Sequence, residues 1–104
     1  MTKDDRRARS DLLCEAILSL KDVEECRNFL SDLCTVAELK AMEQRFEVAM
    51  LLDDGMIYND ILEKTGASSA TISRVRRSML DNGAGGVMRE VIQRETLHKR
   101  ESGE

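Results

Sequence analysis

Apolar residues recur along this chain at intervals of three and four, the signature of helices that bury one face. Leu12, Leu13, Ala16, Ile17 and Leu20 predict a first helix from about Ser10 to Leu20. Val23, Cys26, Phe29, Leu30 and Leu33 mark a second, opened by the capping pair Asp22 and Glu25. Thr35 with Glu38 repeats that pairing and opens the longest helix, about Val36 to Asp54. Its stripe is Val36, Leu39, Met42, Phe46, Ala49 and Met50, and Val48, Leu51 and Leu52 make its second half apolar nearly all round. Such a helix is expected to be buried on most sides, by the rest of the molecule and by a second subunit. Gly55 ends it.

The segment YNDILEKTGASSATISRVRRSM, Tyr58 to Met79, reads as a helix, a sharp turn at Thr65-Gly66-Ala67 and a second helix opened by Ser68. That is the pattern of a helix-turn-helix whose second helix reads DNA. Ile72, Val75 and Met79 fall at i, i+3 and i+7 and should pack on Ile61 and Leu62. Ala70, Ser73, Arg74 and Arg77 then face outward, with Arg76 at the edge of the buried side. Asn82-Gly83 should close the helix, Ala84-Gly85-Gly86 should form a turn, and Val87, Met88, Val91 and Ile92 predict a last amphipathic helix. The expected organisation is a charged, flexible N-terminus (1–9), a helical domain (10–93) with the helix-turn-helix at about 57–80, and a polar, disordered tail (94–104).

Composition narrows the class. The 104 residues suit one domain, and the absence of proline, 3% aromatics and 35% charged residues favour an all-α protein. A net charge of -4 argues against a general nucleic-acid coat protein, but a local patch is what meets phosphates. From Ser68 to Leu80 there are three arginines and no acid. Cys14, Cys26 and Cys34 form no CxxC pair, and the only histidine is His98, so no metal site is expected and the cysteines fit a reduced, cytoplasmic protein. No apolar run approaches the roughly 18 residues of a membrane span. No catalytic constellation or phosphate loop stands out, since GAGG at Gly83–Gly86 follows a helix rather than a strand. Neither an enzyme nor a cofactor is expected.

The candidate chemistry is therefore contact with double-stranded DNA through Ser68, Ser69, Ala70, Thr71, Ser73, Arg74, Arg76 and Arg77. Arginines contact phosphate or the O6 and N7 of guanine. Small residues at the start of the helix let the backbone approach, so much of the readout should run through water, methyl contacts and DNA shape. The plainer reading makes Ser68 and Ser69 caps and the arginines a solvated face. The Tyr58 hydroxyl either reaches a phosphate or packs. A rival class is a helix-turn-helix that binds another protein and no DNA.

TVAELKAMEQRFEVAMLLDDG followed by ILEKTGASSATISRVRRSML resembles the Trp repressor superfamily, most nearly the related YerC/YecD family. The resemblance covers roughly Leu12 to Ile92. It implies an all-helical, intertwined homodimer with two projecting reading heads, set about one DNA turn, roughly 34 Å, apart on a pseudo-palindromic site. It also implies a candidate effector pocket: Arg45 matches a ligand-binding arginine by its distance from Gly55, Arg74 matches a second within ATISR, and Thr35 and Ser78 match residues beside the ligand. The chain departs from the repressor at Val75, which stands where the repressor has a glycine against the indole and would narrow or fill the slot. The loop from Gly55 to Gly66 is also shorter. Fold and DNA binding carry over from this resemblance; tryptophan does not.

Overall fold

The computed structural model describes residues 2–80 and 86–101, with side chains for 2–80 and 87–96. The regular elements among them are helices: α1 (Lys3–Leu18), α2 (Val23–Leu33), α3 (Val36–Asp53), α4 (Tyr58–Thr65), α5 (Ser69–Leu80) and α6 (Gly86–Glu101). They fall into two compact units, residues 1–39 and 40–104.

In the first unit α1 starts well before the expected Ser10. Thr2 caps it by accepting the Asp5 N–H at 3.3 Å, and Asp4 and Asp5 in the first turn favour the positive end of the helix dipole. Most of the segment expected to be flexible is thus helical. The helix ends at Leu18 because the Ser19 hydroxyl takes the Ala16 carbonyl at 2.7 Å, a local bond that competes with continuing the helix. At α2, Asp22 accepts the Glu25 N–H at 2.8 Å and the Glu25 carboxylate accepts the Lys21 N–H at 3.3 Å. Neither α1 nor α2 has a buried residue. Leu18 is 84% exposed and Val23 73%.

The Thr35–Glu38 box at the start of α3 is reciprocal. Thr35 Oγ1 accepts the Glu38 N–H at 3.1 Å and Glu38 Oε1 accepts the Thr35 N–H at 2.8 Å. The Thr35 N–H, and after it the Thr35 hydroxyl, hold the Glu38 carboxyl below its ordinary range. In the second unit α3 is buried along part of its surface within this chain. Only Val48 and Ala49 are buried, Leu51 and Leu52 pack partly on the core, and Met42, Phe46 and Met50 stay exposed. The helix has core partners on one side only.

α3 closes in a Schellman motif. The Gly55 N–H bonds the Leu52 carbonyl at 3.1 Å and the Met56 N–H bonds Leu51 at 3.0 Å, with Gly55 at φ +87°. The core joins Val48, Ala49, Ile61, Ala67, Ile72, Val75, Met79 and Ile92. Full burial of Val48, Ile61 and Ile72 contributes about 1.5–3 kcal/mol each. Ile92 and Met88 dock α6 on this core, and Arg89 reaches Asp53 at 3.2 Å. α6 runs to Glu101, through most of the expected tail, because residues 94–101 contain neither Gly nor Pro. Gly86, expected in a turn, is its first residue. The expected closure at Asn82-Gly83, the turn residues Ala84-Gly85 and the last three residues of the tail lie outside the described residues.

Candidate nucleic-acid interface

The joint between α4 and α5 is fixed by four groups. Gly66 adopts φ +71° and gives its N–H to the Leu62 carbonyl at 3.0 Å, a conformation that disfavours any residue with a Cβ. The Thr65 hydroxyl donates to the Ile61 carbonyl at 2.8 Å and accepts the Ala67 N–H at 3.1 Å. From α3, the Gln44 side-chain amide donates to the Thr65 carbonyl at 3.2 Å. Buried Ala67 completes the turn. The sequence gives the turn through Thr65-Gly66-Ala67, but nothing local marks Gln44 as its brace.

Ser68 caps α5. Its Oγ accepts the Thr71 N–H at 3.1 Å and its hydroxyl donates to Thr71 Oγ1 at 3.0 Å. The helices α2 and α3 carry Glu at this third position, whereas α5 carries Thr71 and has no acid in its first turn. The N-terminal end of α5 therefore combines the positive end of the dipole with small side chains and no negative charge.

Ile72, Val75 and Met79 fill the inner face of α5, as their spacing predicts. Ser69, Ala70, Arg74 and Arg77 are exposed, and neither arginine makes an ion pair with a described residue. Ser73 differs from expectation. It is half-buried rather than facing outward, on the side of α5 where it acts on the Tyr58 phenol. Arg76, expected at the edge, lies with its guanidinium carbon 5.9 Å from the centroid of the Tyr58 ring. Hydrogen bonds with Ser73 and then Arg76, with a smaller contribution from the Arg76 charge, hold the Tyr58 phenol below its ordinary range against the opposing effect of burial. Tyr58 is thus a packing residue whose hydroxyl is engaged. Arg76 and Arg89 also line a cleft of about 210 Å³, together with Leu52, Met79 and Leu80.

The effector candidates are placed as follows. The Thr35 hydroxyl caps α3, and Arg45 is exposed on that helix. Ser78 donates its hydroxyl to the Arg74 carbonyl at 3.2 Å, so these two are joined along α5. Val75 is a core residue, 4% exposed, packed with Ile72 and Met79.

This arrangement of helices agrees with known proteins. Residues 8–96 match the family model described as Trp repressor protein. The chain belongs to the Trp repressor family. It is 54% identical over 69 residues to YerC of Bacillus subtilis (strain 168), a protein described as uncharacterised. That match spans 66% of this chain and 66% of the relative. A TrpR-like protein from Eubacterium eligens ATCC 27750 superposes with a TM-score of 0.68 at 48% identity, over 78% of this chain and 86% of that one. A Staphylococcus aureus protein provisionally named a Trp repressor gives 0.74 at 38% identity, over 89% and 96%. The all-α, Trp-repressor-like fold is thereby established. Among the described residues no helix is long and apolar enough to cross a membrane, and no group of three or more His, Cys, Asp and Glu residues is placed to hold a metal ion.

Proposed function

We propose that this protein is a sequence-specific DNA-binding transcriptional regulator that works in the cytoplasm as a homodimer and reads the major groove with α5. The observation that carries the reading is the outer face of α5. There the exposed guanidiniums of Arg74 and Arg77, unpaired with any described residue, stand behind a helix start built from Ser68, Ser69, Ala70 and Thr71. Arginines in this position reach phosphates or guanine edges while the small residues admit the DNA backbone.

The apolar surface left open on α1, α2 and α3 supports the dimer. Leu12, Leu18, Val23 and Leu33 are exposed, as are Met42, Phe46 and Met50, and a second copy offers the same apolar chemistry in return. Within the second unit, Arg45, Arg74 and Ser78 are the residues at which a small-molecule effector would act. Tryptophan is disfavoured as that effector, since Val75 brings a packed side chain to a position where the Trp repressor has glycine.

The test is selection of bound fragments from the source genome by the purified protein at about 0.1 M salt, a range in which phosphate contacts still contribute strongly. Enrichment of a pseudo-palindromic site supports the reading, and binding should fall by orders of magnitude between about 50 and 200 mM salt if about six or more phosphates are met. The double variant Arg74→Ala, Arg77→Ala should lose that binding. If it binds as the wild type does, α5 is not the reading helix. Affinity for a captured protein that ignores salt, with no DNA enriched, would favour the protein-binding alternative.

A further inference from the structure

Among the cations of α5, Arg76 differs from Arg74 and Arg77 in having partners. Its guanidinium carbon lies 5.9 Å from the centroid of the Tyr58 ring, and Ser73 and Arg76 together hold the Tyr58 phenol below its ordinary range. Tyr58 is the first residue of α4, so one side chain ties the start of the first helix to two positions on the second. Ser73 and Arg76 are three apart and lie on one strip of α5. Placing residues at 100° each sets Arg76 well away from the Arg74 side, on the flank toward α4.

We propose that Tyr58 is a positioning residue for DNA binding: its ring and hydroxyl hold Arg76 on the α4 flank, where Arg76 grips a backbone phosphate beside the groove rather than a base edge. The inference rests on the DNA-binding reading and assigns a role within it. In a helix-turn-helix the first helix crosses the DNA backbone while the second enters the groove. A cation on the strip of α5 nearest the start of α4 therefore sits where the backbone passes. A guanidinium has five N–H donors, so one resting against the Tyr58 ring keeps enough of them for phosphate oxygens. Holding the guanidinium plane in advance lowers the side-chain ordering cost of binding.

Tyr58 is the only tyrosine and the chain has no tryptophan, so the ultraviolet signal of phenol ionisation reports this residue alone. The first arm titrates full-length wild type and Arg76→Ala. The variant should ionise at higher pH, because it loses a donor and a positive charge that favour the phenolate. The second arm measures affinity for the fragment selected by the wild type, using Tyr58→Phe, Ser73→Ala, Arg76→Ala and the Tyr58→Phe, Arg76→Ala pair. Arg76→Ala should weaken binding several-fold across related sequences alike and lower the salt slope by about one. Tyr58→Phe should weaken it by a smaller factor, with base preference unchanged. The pair should bind no worse than Arg76→Ala alone, since the hydroxyl acts only through the arginine. Ser73→Ala keeps the ring and removes one polar neighbour of the phenol, so it stands in if Tyr58→Phe fails to fold. It should weaken binding, by less than Arg76→Ala does, and should add nothing when combined with Arg76→Ala.

Additive losses in the pair, a changed base preference in Arg76→Ala, or phenol titrations that coincide would each overturn the assignment while leaving DNA binding in place. A wild-type protein that binds no DNA would instead overturn the functional reading itself.

Discussion

Replacing Gly66 with alanine tests whether the joint of the helix-turn-helix is held by backbone conformation. The residue sits at φ +71°, and a Cβ built on it meets nothing within 4 Å. No clash contributes, so the cost is that of placing an L-residue in the left-handed region, roughly 1–2 kcal/mol. Alanine also has fewer unfolded conformations to lose, which returns some of the roughly 0.4–1 kcal/mol seen at compatible sites. The expected net loss is about 1 kcal/mol. For a domain of this size that lowers the melting temperature by roughly 4–8 °C. Asparagine tolerates the left-handed region better and should lose less than alanine. Gly55, at φ +87° and equally open around its Cβ, serves as a control outside the joint. Gly55→Ala should cost a similar amount of stability. The assay is thermal denaturation of the full-length variants at one protein concentration, followed by helical circular dichroism, with DNA affinity measured below the transition. Gly66→Ala should weaken DNA binding more than Gly55→Ala does. An alanine variant at position 66 that melts at or above the wild type would refute the reasoning.

Gln44→Ala removes the bond to the Thr65 carbonyl and should cost about 0.5–1.5 kcal/mol in denaturant unfolding. Val75→Gly takes a buried side chain out of the core and puts glycine inside a helix, so roughly 2–4 kcal/mol should be lost, with DNA binding loosened. The Glu38 carboxyl is held below its ordinary 4.5 in the folded chain, so its contribution is present above that value and is lost as pH falls through the lower, folded value. The gap in melting temperature between wild type and Glu38→Gln should therefore close on acidification below about pH 4; a gap that widens there would contradict the capping geometry. Light scattering should give a mass near twice 11.8 kDa, and a charge introduced at Phe46 should lower it.

Where a signal is local, the sequence carried it. The boxes at Asp22 and Thr35, the glycine closures at Gly55 and Gly66, and the Ile72, Val75, Met79 stripe depend on residues within a turn or two, and all are as expected. Helix ends governed by weak propensity were less legible. Thr2 is an ordinary cap that a charged terminus obscured, and residues 94–101 look like tail although nothing in them breaks a helix. α3 was legible only in part. Apolar residues around a whole helix predict burial without saying by which chain, and this chain covers only the side holding Val48 and Ala49. Gln44 bracing the Thr65 carbonyl and Arg76 lying over the Tyr58 ring were illegible because each joins separate helices. Period and composition cannot report such pairings.

The hydroxyl pair at the start of α5 has a consequence for engineering. Glutamate in place of Thr71 would give α5 the carboxylate that α2 and α3 already have, and an acid there typically adds about 0.3–1 kcal/mol. On the proposed DNA-binding reading, the same carboxylate would face incoming phosphate. A screen that rewards heat resistance should therefore drive position 71 toward glutamate and return robust proteins that no longer hold DNA. On that reading, threonine three residues after the cap trades durability for anion tolerance at one position.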